Sequence, residues 1–99
     1  MKRIYVSLPI SGYDLEDRKQ YARLVEMHLV EEMPKPLQVI TPFTVCPDSD
    51  KPYSYFMGKD IEALLECDVI YMCKGWQNSK GCMAEFEVAR IYGKEIIME

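Results

Sequence analysis

The sequence lacks the features that identify several classes of protein. Its four cysteines form no C-x-x-C pair, and the single histidine, His28, completes no zinc-like cluster with them. No apolar run approaches the roughly 20 residues that a membrane span needs, and residues 1–5 lead directly into a predicted strand rather than a signal peptide. The sequence therefore predicts no metal centre and no membrane partner, and we expect no cofactor and a cytoplasmic location.

The chain also has no excess of positive charge. Its formal net charge is -4, which argues against a nucleic-acid polymer as partner, because a polyanion rewards a basic surface. A small anionic ligand bound by backbone amides is compatible with this charge. With 99 residues, of which 48% are hydrophobic, the chain has room for one domain with one core, residues 1–99.

What the chain does have, in its second half, is the pattern of a strand, a helix and a second strand. Residues 68–73 and 95–98 are short apolar runs rich in strand-forming residues, and the helical segment between them ends at Gly93. This order predicts two parallel strands joined by a crossover helix, because parallel strands need such a connection.

The start of this crossover helix is a predicted anion site. Ser79 is the expected N-cap, so the amides of Lys80, Gly81 and Cys82 are expected to point out of the first turn without helical partners. Such amides bind anions, and the loop before them leaves the carboxyl end of a strand, where parallel sheets bind ligands.

The first half of the chain predicts a similar unit. Residues 2–7 form the first predicted strand, which Pro9 and Gly12 end in a turn, since proline cannot continue the ladder and glycine permits unusual backbone angles. Residues 14–32 have helical spacing of their apolar side chains, and residues 37–41 form the second predicted strand. A glycine turn between a strand and a helix is a common phosphate-binding position.

A long connection then leads into another predicted helix. Residues 42–54 contain three prolines and are too long for a simple connection, which makes them a candidate lid. The helix that follows, residues 55–67, has a predicted buried stripe of Ile61, Leu64 and Leu65. Asp60 lies at the edge of this stripe, which makes it a site candidate as well as an ordinary residue favoured by the helix dipole.

Several side chains have two interpretations. Tyr53, Tyr55 and Phe56 either stack on a flat ligand or pack on the core as aromatics entering a helix commonly do. Cys82, near a helix start, has either a lowered thiol pKa or a packing role. His28 lies within the first predicted helix and is expected to be structural or solvent-facing.

Helical geometry separates two glutamates in the last helix. At about 100° per residue, Glu85 lies inside an apolar arc while Glu87 lies outside it, three residues before Arg90. The predicted arc consists of Ala84, Val88, Ala89, Ile91 and Tyr92. We therefore expect Glu85 to be partly buried and Glu87 to pair with Arg90 on the surface. A partly buried carboxylate beside an anion pocket is a nucleophile candidate, and a structural network has the same pattern.

At this point the residues resemble a known family, over nearly the whole chain. Tyr5 precedes a Pro/Gly turn, Asp60 stands eight residues before Asp68, and Ser79-Lys-Gly81 is followed by Glu85 and then I-Y-G-K. These features are similar to the nucleoside 2-deoxyribosyltransferase superfamily, especially its small members, the deoxynucleoside 5'-monophosphate N-glycosidases and short uncharacterised bacterial and phage proteins.

The resemblance implies a role for particular residues. Glu85 matches the nucleophile that attacks the anomeric carbon of the sugar and forms a glycosyl-enzyme ester, which water or a second base then resolves. Asp60 matches an aspartate that helps to place the sugar or base, and Tyr5 matches a tyrosine near the nucleophile. The positions implied to bind the substrate and its 5'-phosphate are Pro9, Ile10, Gly12, Ser79 and Gly81.

The resemblance also implies a fold and an assembly. The expected fold is α/β, a flavodoxin-like three-layer sandwich with about four parallel strands in the order 2-1-3-4 and three helices. Sites in this superfamily are often completed by a neighbouring subunit, so we expect a homo-oligomer. The chain departs from the small members in two places: Tyr13 and Asp14 follow Gly12 where the glycosidases carry an arginine, and Leu8 replaces a glycine, which is expected to narrow the ligand space.

Two classes of function follow. The first is an enzyme that cleaves or transfers a base at the N-glycosidic bond of a nucleoside or nucleotide. A carboxylate stabilises the oxocarbenium-like transition state of such a reaction, and a second acid, for which Asp60 is best placed, protonates the leaving base. The second class is a nucleotide-binding module without chemistry. A plain structural or interaction domain is the third alternative.

Overall fold

Four parallel strands form the centre of the protein. A computed structural model describes residues 1–45 and 50–99, and its strands are β1 (Lys2–Ser7), β2 (Leu37–Ile40), β3 (Val69–Met72) and β4 (Glu95–Met98). The strand order is β2-β1-β3-β4, and all three neighbouring pairs are parallel. The predicted order 2-1-3-4 is therefore confirmed.

The connections between the strands diverge at the pair of β1 and β3. The chain leaves β1 towards β2 on one side and leaves β3 towards β4 on the other, so the two connections diverge where β1 and β3 pair. Sheets of this kind bind ligands at the carboxyl ends of the strands beside such a divergence. Here that position lies beyond Ser7 of β1 and Met72 of β3, which are paired in register.

Helices cover both faces of the sheet, which gives the three layers predicted. The helices are α1 (Leu15–Glu32), α2 (Pro42–Val45), α3 (Tyr53–Leu65) and α4 (Lys80–Ile91). The short α2 is a helix that the sequence did not predict, and it occupies the start of the predicted lid. At the other end of the predicted lid, Tyr53 and Ser54 belong to α3. Residues 46–49, including Cys46, lie outside the described residues, so the prediction of a lid stays a prediction.

Alternation along β1 decides which side chains meet which helices. Ile4, Val6 and Leu8 are buried in the core on the α1 side, whereas Tyr5 is buried on the α3 and α4 side. Since side chains of a strand point to alternate faces, Ser7 lies on the same face as Tyr5. The expectation that Leu8 narrows the ligand space is therefore wrong, because its side chain packs against the opposite layer.

Helix α1 begins and ends where local interactions dictate. The Asp14 carboxylate accepts a hydrogen bond from the Asp17 amide at 3.0 Å, so Asp14 is the N-cap. The helix ends at Glu32, before Pro34. Within residues 1–45 and 50–99, no helix is both long enough and apolar enough to cross a membrane.

The buried face of α4 differs from the apolar arc that its sequence predicted. Ser79 caps it as predicted, since its hydroxyl accepts a hydrogen bond from the Cys82 amide at 3.2 Å. Ala84 is exposed, however, and Ile91 and Tyr92 are each 65% exposed. The buried positions are Cys82, Glu85 and Ala89.

An aromatic contact in the middle of α4 and the position of its last residues account for this difference. Trp76, in a 3₁₀ turn (Trp76–Asn78) before the helix, stacks on Phe86 with ring centroids 4.7 Å apart. Both rings pack against the core on the α3 and α4 side, which draws the Phe86 side of the helix inwards. Residues 91 and 92 stand at the end of the helix, just before the chain turns at Gly93 with a φ of +69°.

The packing of α3 gives a test of the fold. Leu64 is 0% exposed, whereas its neighbour Leu65, which was also expected to be buried, is 40% exposed. We expect Leu64→Ala to lower the free energy of unfolding by about 2–5 kcal/mol and Leu65→Ala by less than about 1 kcal/mol, because only the first leaves a cavity. Urea unfolding of both variants measures the difference, and equal losses would contradict this packing.

Candidate active site

Glu85 is the central group of the candidate site. It lies in the second turn of α4, on the face that packs against the sheet, and only 4% of its surface is exposed. Both of its oxygens accept hydrogen bonds from β1: the Ser7 hydroxyl donates to Oε1 at 2.6 Å and the Tyr5 hydroxyl donates to Oε2 at 3.0 Å. The carboxylate is thus fixed at the carboxyl end of the central strand.

Burial changes the acidity of this carboxyl. Loss of solvent raises the pKa of Glu85 from its ordinary value of 4.5 to about 7. The hydrogen bond from Ser7 opposes this rise, the negative charge of Asp60 adds to it, and the hydrogen bond from Tyr5 again opposes it. A carboxyl with a pKa near neutrality exchanges its proton readily under physiological conditions.

Asp60 on α3 is the second carboxyl of the site. Burial raises its pKa from 3.8 to about 6, and hydrogen bonding with the Tyr5 hydroxyl partly offsets this rise. The Asp60 charge also acts on Glu85 and Tyr5, so the three groups lie close together. The sequence-based placement of Asp60 at the edge of the buried stripe is consistent with this half-buried position.

Tyr5 has one hydroxyl proton and two carboxyls near it. Its pKa lies well above the ordinary value, because of burial first and then the charges of Glu85 and Asp60, so the hydroxyl stays protonated. A phenol donates one hydrogen bond at a time. In this structure the proton is donated to Glu85 at 3.0 Å, and Tyr5 also lies close enough to Asp60 to lower the pKa of that carboxyl.

The N-terminus of α4 lies next to these groups, but fewer amides are free than expected. The Cys82 amide is taken by the Ser79 hydroxyl, while the amides of Lys80 and Gly81 donate no hydrogen bond within the described residues. Helix α3 approaches α4 closely at Gly81. A Cβ at this position would stand only 3.1 Å from Tyr53 Oη and 3.3 Å from Met57 Sδ, so the absence of a side chain makes room for α3. The predicted anion site is therefore limited to the two amides of Lys80 and Gly81 at the start of α4.

Tyr53 is the aromatic residue of α3 that approaches the site. Its hydroxyl contacts the position of Gly81, and its pKa is raised by burial of the hydroxyl and then by the charges of Glu85, Cys82 and Asp60. The ring itself is largely exposed. Of the three aromatics considered for stacking, Tyr53 is thus placed at the rim of the site.

The turn that follows β1 does not pack against Glu85. Gly12 has a φ of +88°, which confirms the need for glycine in this turn. Pro9 is buried and Ile10 half-buried, and Pro9 lies beside Gly75, where a Cβ would stand 3.8 Å from Pro9 Cγ. The structure therefore places Pro9 against the loop after β3, whereas a Cβ at Gly12 would have no neighbour within 4 Å among the described residues.

Two features of the site differ from the sequence analysis. Ser7 was not identified, although the two-residue period of a strand places it on the same face as Tyr5 at the end of β1. Burial raises the pKa of the Cys82 thiol, whereas a lowered pKa was one of the two interpretations of this residue. The other interpretation, a packing role, agrees with its position in the core. The expected surface pair is present, since Arg90 donates to Glu87 at 2.7 Å.

Comparisons with known proteins place the chain in a family. The chain belongs to the family described as Domain of unknown function (DUF4406), whose sequence profile matches residues 2–98. Among curated proteins, none matches the chain.

Two solved structures similar to the chain are deoxyribosyltransferases. One is a 2-desoxiribosyltransferase from Leishmania mexicana, with a TM-score of 0.74 and 18% identity, over 99% of this chain and 63% of that chain. The other is a 2-deoxyribosyltransferase from Bacillus psychrosaccharolyticus, described as a biocatalyst for nucleoside synthesis, with a TM-score of 0.70 and 16% identity, over 97% of this chain and 70% of that chain. These similarities confirm the predicted fold, and the chain spans less than two thirds of the first enzyme's length.

The buried carboxyl makes stability depend on pH. Between pH 4.5 and about 7 the native state keeps a proton on Glu85 that the unfolded chain loses, so the free energy of unfolding falls as pH rises through this window. The difference corresponds to about 3 kcal/mol. We expect the free energy of unfolding, measured with urea at pH 5 and at pH 8, to fall less between these two pH values in Glu85→Gln than in the wild type. Glu87→Gln, at an exposed position, is the control, and a Glu85→Gln variant with the wild-type slope would contradict the assignment.

Proposed function

We propose that this protein cleaves or transfers the N-glycosidic bond of a nucleoside, a deoxynucleoside or a 5'-monophosphate of either. Glu85 is the proposed nucleophile, and a covalent glycosyl-enzyme ester is the proposed intermediate. The observation that carries the proposal is a buried carboxylate fixed by two hydroxyls of the central strand, beside a second carboxyl of raised pKa.

The two carboxyls fit the two halves of such a reaction. Breaking an N-glycosidic bond develops positive charge on the sugar ring, which an ionised Glu85 stabilises and then traps. The departing base needs a proton, and Asp60, whose pKa burial raises to about 6, is the proposed donor once the proton of the site has moved to it from Glu85, whose pKa is about 7. After the base has left, ionised Asp60 takes the proton from water or from an incoming base.

The edge of the sheet supports the choice of a nucleoside or nucleotide as substrate. The amides of Lys80 and Gly81 and the positive end of the α4 dipole suit a 5'-phosphate. Tyr53, at the rim, is the proposed contact for a flat base. The similar structures are described as 2-deoxyribosyltransferases, and one of them is described in connection with nucleosides.

We also propose that the protein forms a homo-oligomer. Apolar side chains at the end of α4 and on β4 are exposed, with Ile91 and Tyr92 each 65% exposed and Met98 51% exposed. Exposed apolar side chains of this size favour association between protein surfaces. A cytoplasmic location remains our proposal on the same sequence grounds as above.

The test is base release from a panel of ribo- and deoxynucleosides and their 5'-monophosphates, measured by chromatography of free base. We expect the wild-type protein to release base from at least one of them. Glu85→Gln is expected to lower the rate at least about a thousandfold, because it removes the nucleophile but keeps the shape of the side chain. Glu87→Gln, on the same helix but exposed, is expected to stay within about twofold of wild type.

The same panel separates the alternatives. If wild type and Glu85→Gln bind nucleotides equally and neither releases base, the protein is a binding module and the proposed chemistry is wrong. If neither binds any member of the panel, the nucleotide assignment is wrong as well.

A further inference from the structure

Ser7 is the residue of this site that neither the sequence pattern nor the resemblance identified. It is 0% exposed, so a substrate bound at the edge of the sheet does not touch it. Its hydroxyl donates to Glu85 Oε1 at 2.6 Å, which is shorter than the bond of 3.0 Å from Tyr5 to Oε2. Hydrogen bonds of this length between a hydroxyl and a charged oxygen are among the strong ones in proteins.

We infer that Ser7 is a positioning residue that fixes Oε1 of Glu85 and stabilises the ionised form of this carboxyl, which makes it easier for the proton of the site to move from Glu85 to Asp60 before the reaction. This inference rests on the proposed function for its catalytic meaning, but the effect on the proton is a property of the protein alone. A hydrogen bond donated to a carboxylate stabilises its ionised form. Ser7 donates to Glu85, and it makes no hydrogen bond to Asp60 within the described residues.

The other groups that face Glu85 do not perform this task alone. Tyr5 on β1 is shared, because it donates to Glu85 and also lowers the pKa of Asp60 on α3. Tyr53 on α3 and Cys82 on α4 are uncharged near neutral pH, since burial raises both of their pKa values. Ser7 is therefore the donor that favours an ionised Glu85 without also favouring an ionised Asp60.

The two hydrogen bonds also give the two oxygens of Glu85 different roles in the proposed reaction. Oε1 stays bound to Ser7, while Oε2 is released when the Tyr5 hydroxyl turns to Asp60. Oε2 then forms the bond to the anomeric carbon as the bond from that carbon to the base nitrogen breaks. The electron pair of the broken bond stays on the base nitrogen, which takes the proton of Asp60, and the new Asp60 carboxylate accepts the Tyr5 hydrogen bond.

The second half of the reaction reverses these changes. Water or a second base attacks the anomeric carbon, and Oε2 leaves with the electron pair of the ester bond. Asp60 takes the proton of the attacking group, and Tyr5 turns back to Oε2. Throughout, Ser7 donates to Oε1, which is the carbonyl oxygen of the ester.

The test is to follow the carboxyl carbons of Glu85 and Asp60 by NMR during a pH titration of Ser7→Ala. We expect the Glu85 midpoint to rise by about one pH unit and the Asp60 midpoint not to rise, because the lost hydroxyl donates to Glu85 and not to Asp60. Ser7→Thr, which keeps the hydroxyl, is expected to restore the wild-type midpoints. Cys67→Ala, which removes a buried atom from the same core without a contact to Glu85, is the matched control and should leave both midpoints unchanged.

Base release adds a second measurement on the same variants. At the pH optimum we expect Ser7→Ala to lower kcat about tenfold and Ser7→Thr to recover most of it. If Ser7→Ala does not fold, Ser7→Cys kept reduced replaces it, and its weaker donor is expected to give a smaller rise in the Glu85 midpoint.

An unchanged Glu85 midpoint in the variant that lacks the hydroxyl overturns the inference, as does an equal shift in Cys67→Ala. A failure of the proposed function is distinguishable from this result. In that case wild type releases no base from any nucleoside, while the Glu85 midpoint still moves in Ser7→Ala.

Discussion

The contact between α4 and the central strand is the interaction on which the site depends. A carboxylate that is 4% exposed has lost most of its solvation, and the two hydroxyls of β1 replace part of it. The replacement is incomplete, because no positive charge is paired with Glu85 among the groups that act on it. The result is a carboxyl held in one orientation with a pKa near neutrality, which is a combination typical of functional sites.

The rest of the fold provides the conditions for this contact. Alternation along β1 sends Ile4 and Val6 into the core against α1, which leaves Tyr5 and Ser7 on the face that meets α3 and α4. The parallel pairing of Ser7 with Met72 places that face at the carboxyl edge of the sheet. Gly81 then allows Tyr53 of α3 to approach α4 closely, so that Asp60 lies near both Tyr5 and Glu85.

Local sequence patterns were sufficient for the parts of the structure that local interactions determine. The parallel pairing of β3 with β4, the Ser79 cap and the surface pair of Glu87 with Arg90 agree with the structure, because each follows from strand connections, capping or helical spacing. The full strand order was predicted from the resemblance to a known family and not from local patterns. The difference between a buried Glu85 and an exposed Glu87 was also correct. These features need only a few neighbouring residues to be specified.

The parts that the sequence did not predict depend on contacts between distant residues. The exposure of Ile91 and Tyr92 at the end of α4 follows from the packing of its other face against Trp76 and the sheet, and a helical wheel contains neither. The direction of the Leu8 side chain was predicted wrongly, and Ser7 was not identified. The sequence does not show which layer of helices the odd-numbered and the even-numbered residues of β1 face. The site likewise needed tertiary structure, since Tyr5 and Glu85 are 80 positions apart.

The central claim is that one oxygen of Glu85 becomes bonded to the sugar during turnover. The direct measurement is peptide mapping by mass spectrometry of protein that has been quenched with acid while it releases base. The account predicts a peptide containing Glu85 whose mass is increased by one glycosyl group, with the modification on that residue. Rapid base release from protein that carries no such group, or carries it on another side chain, would contradict the account.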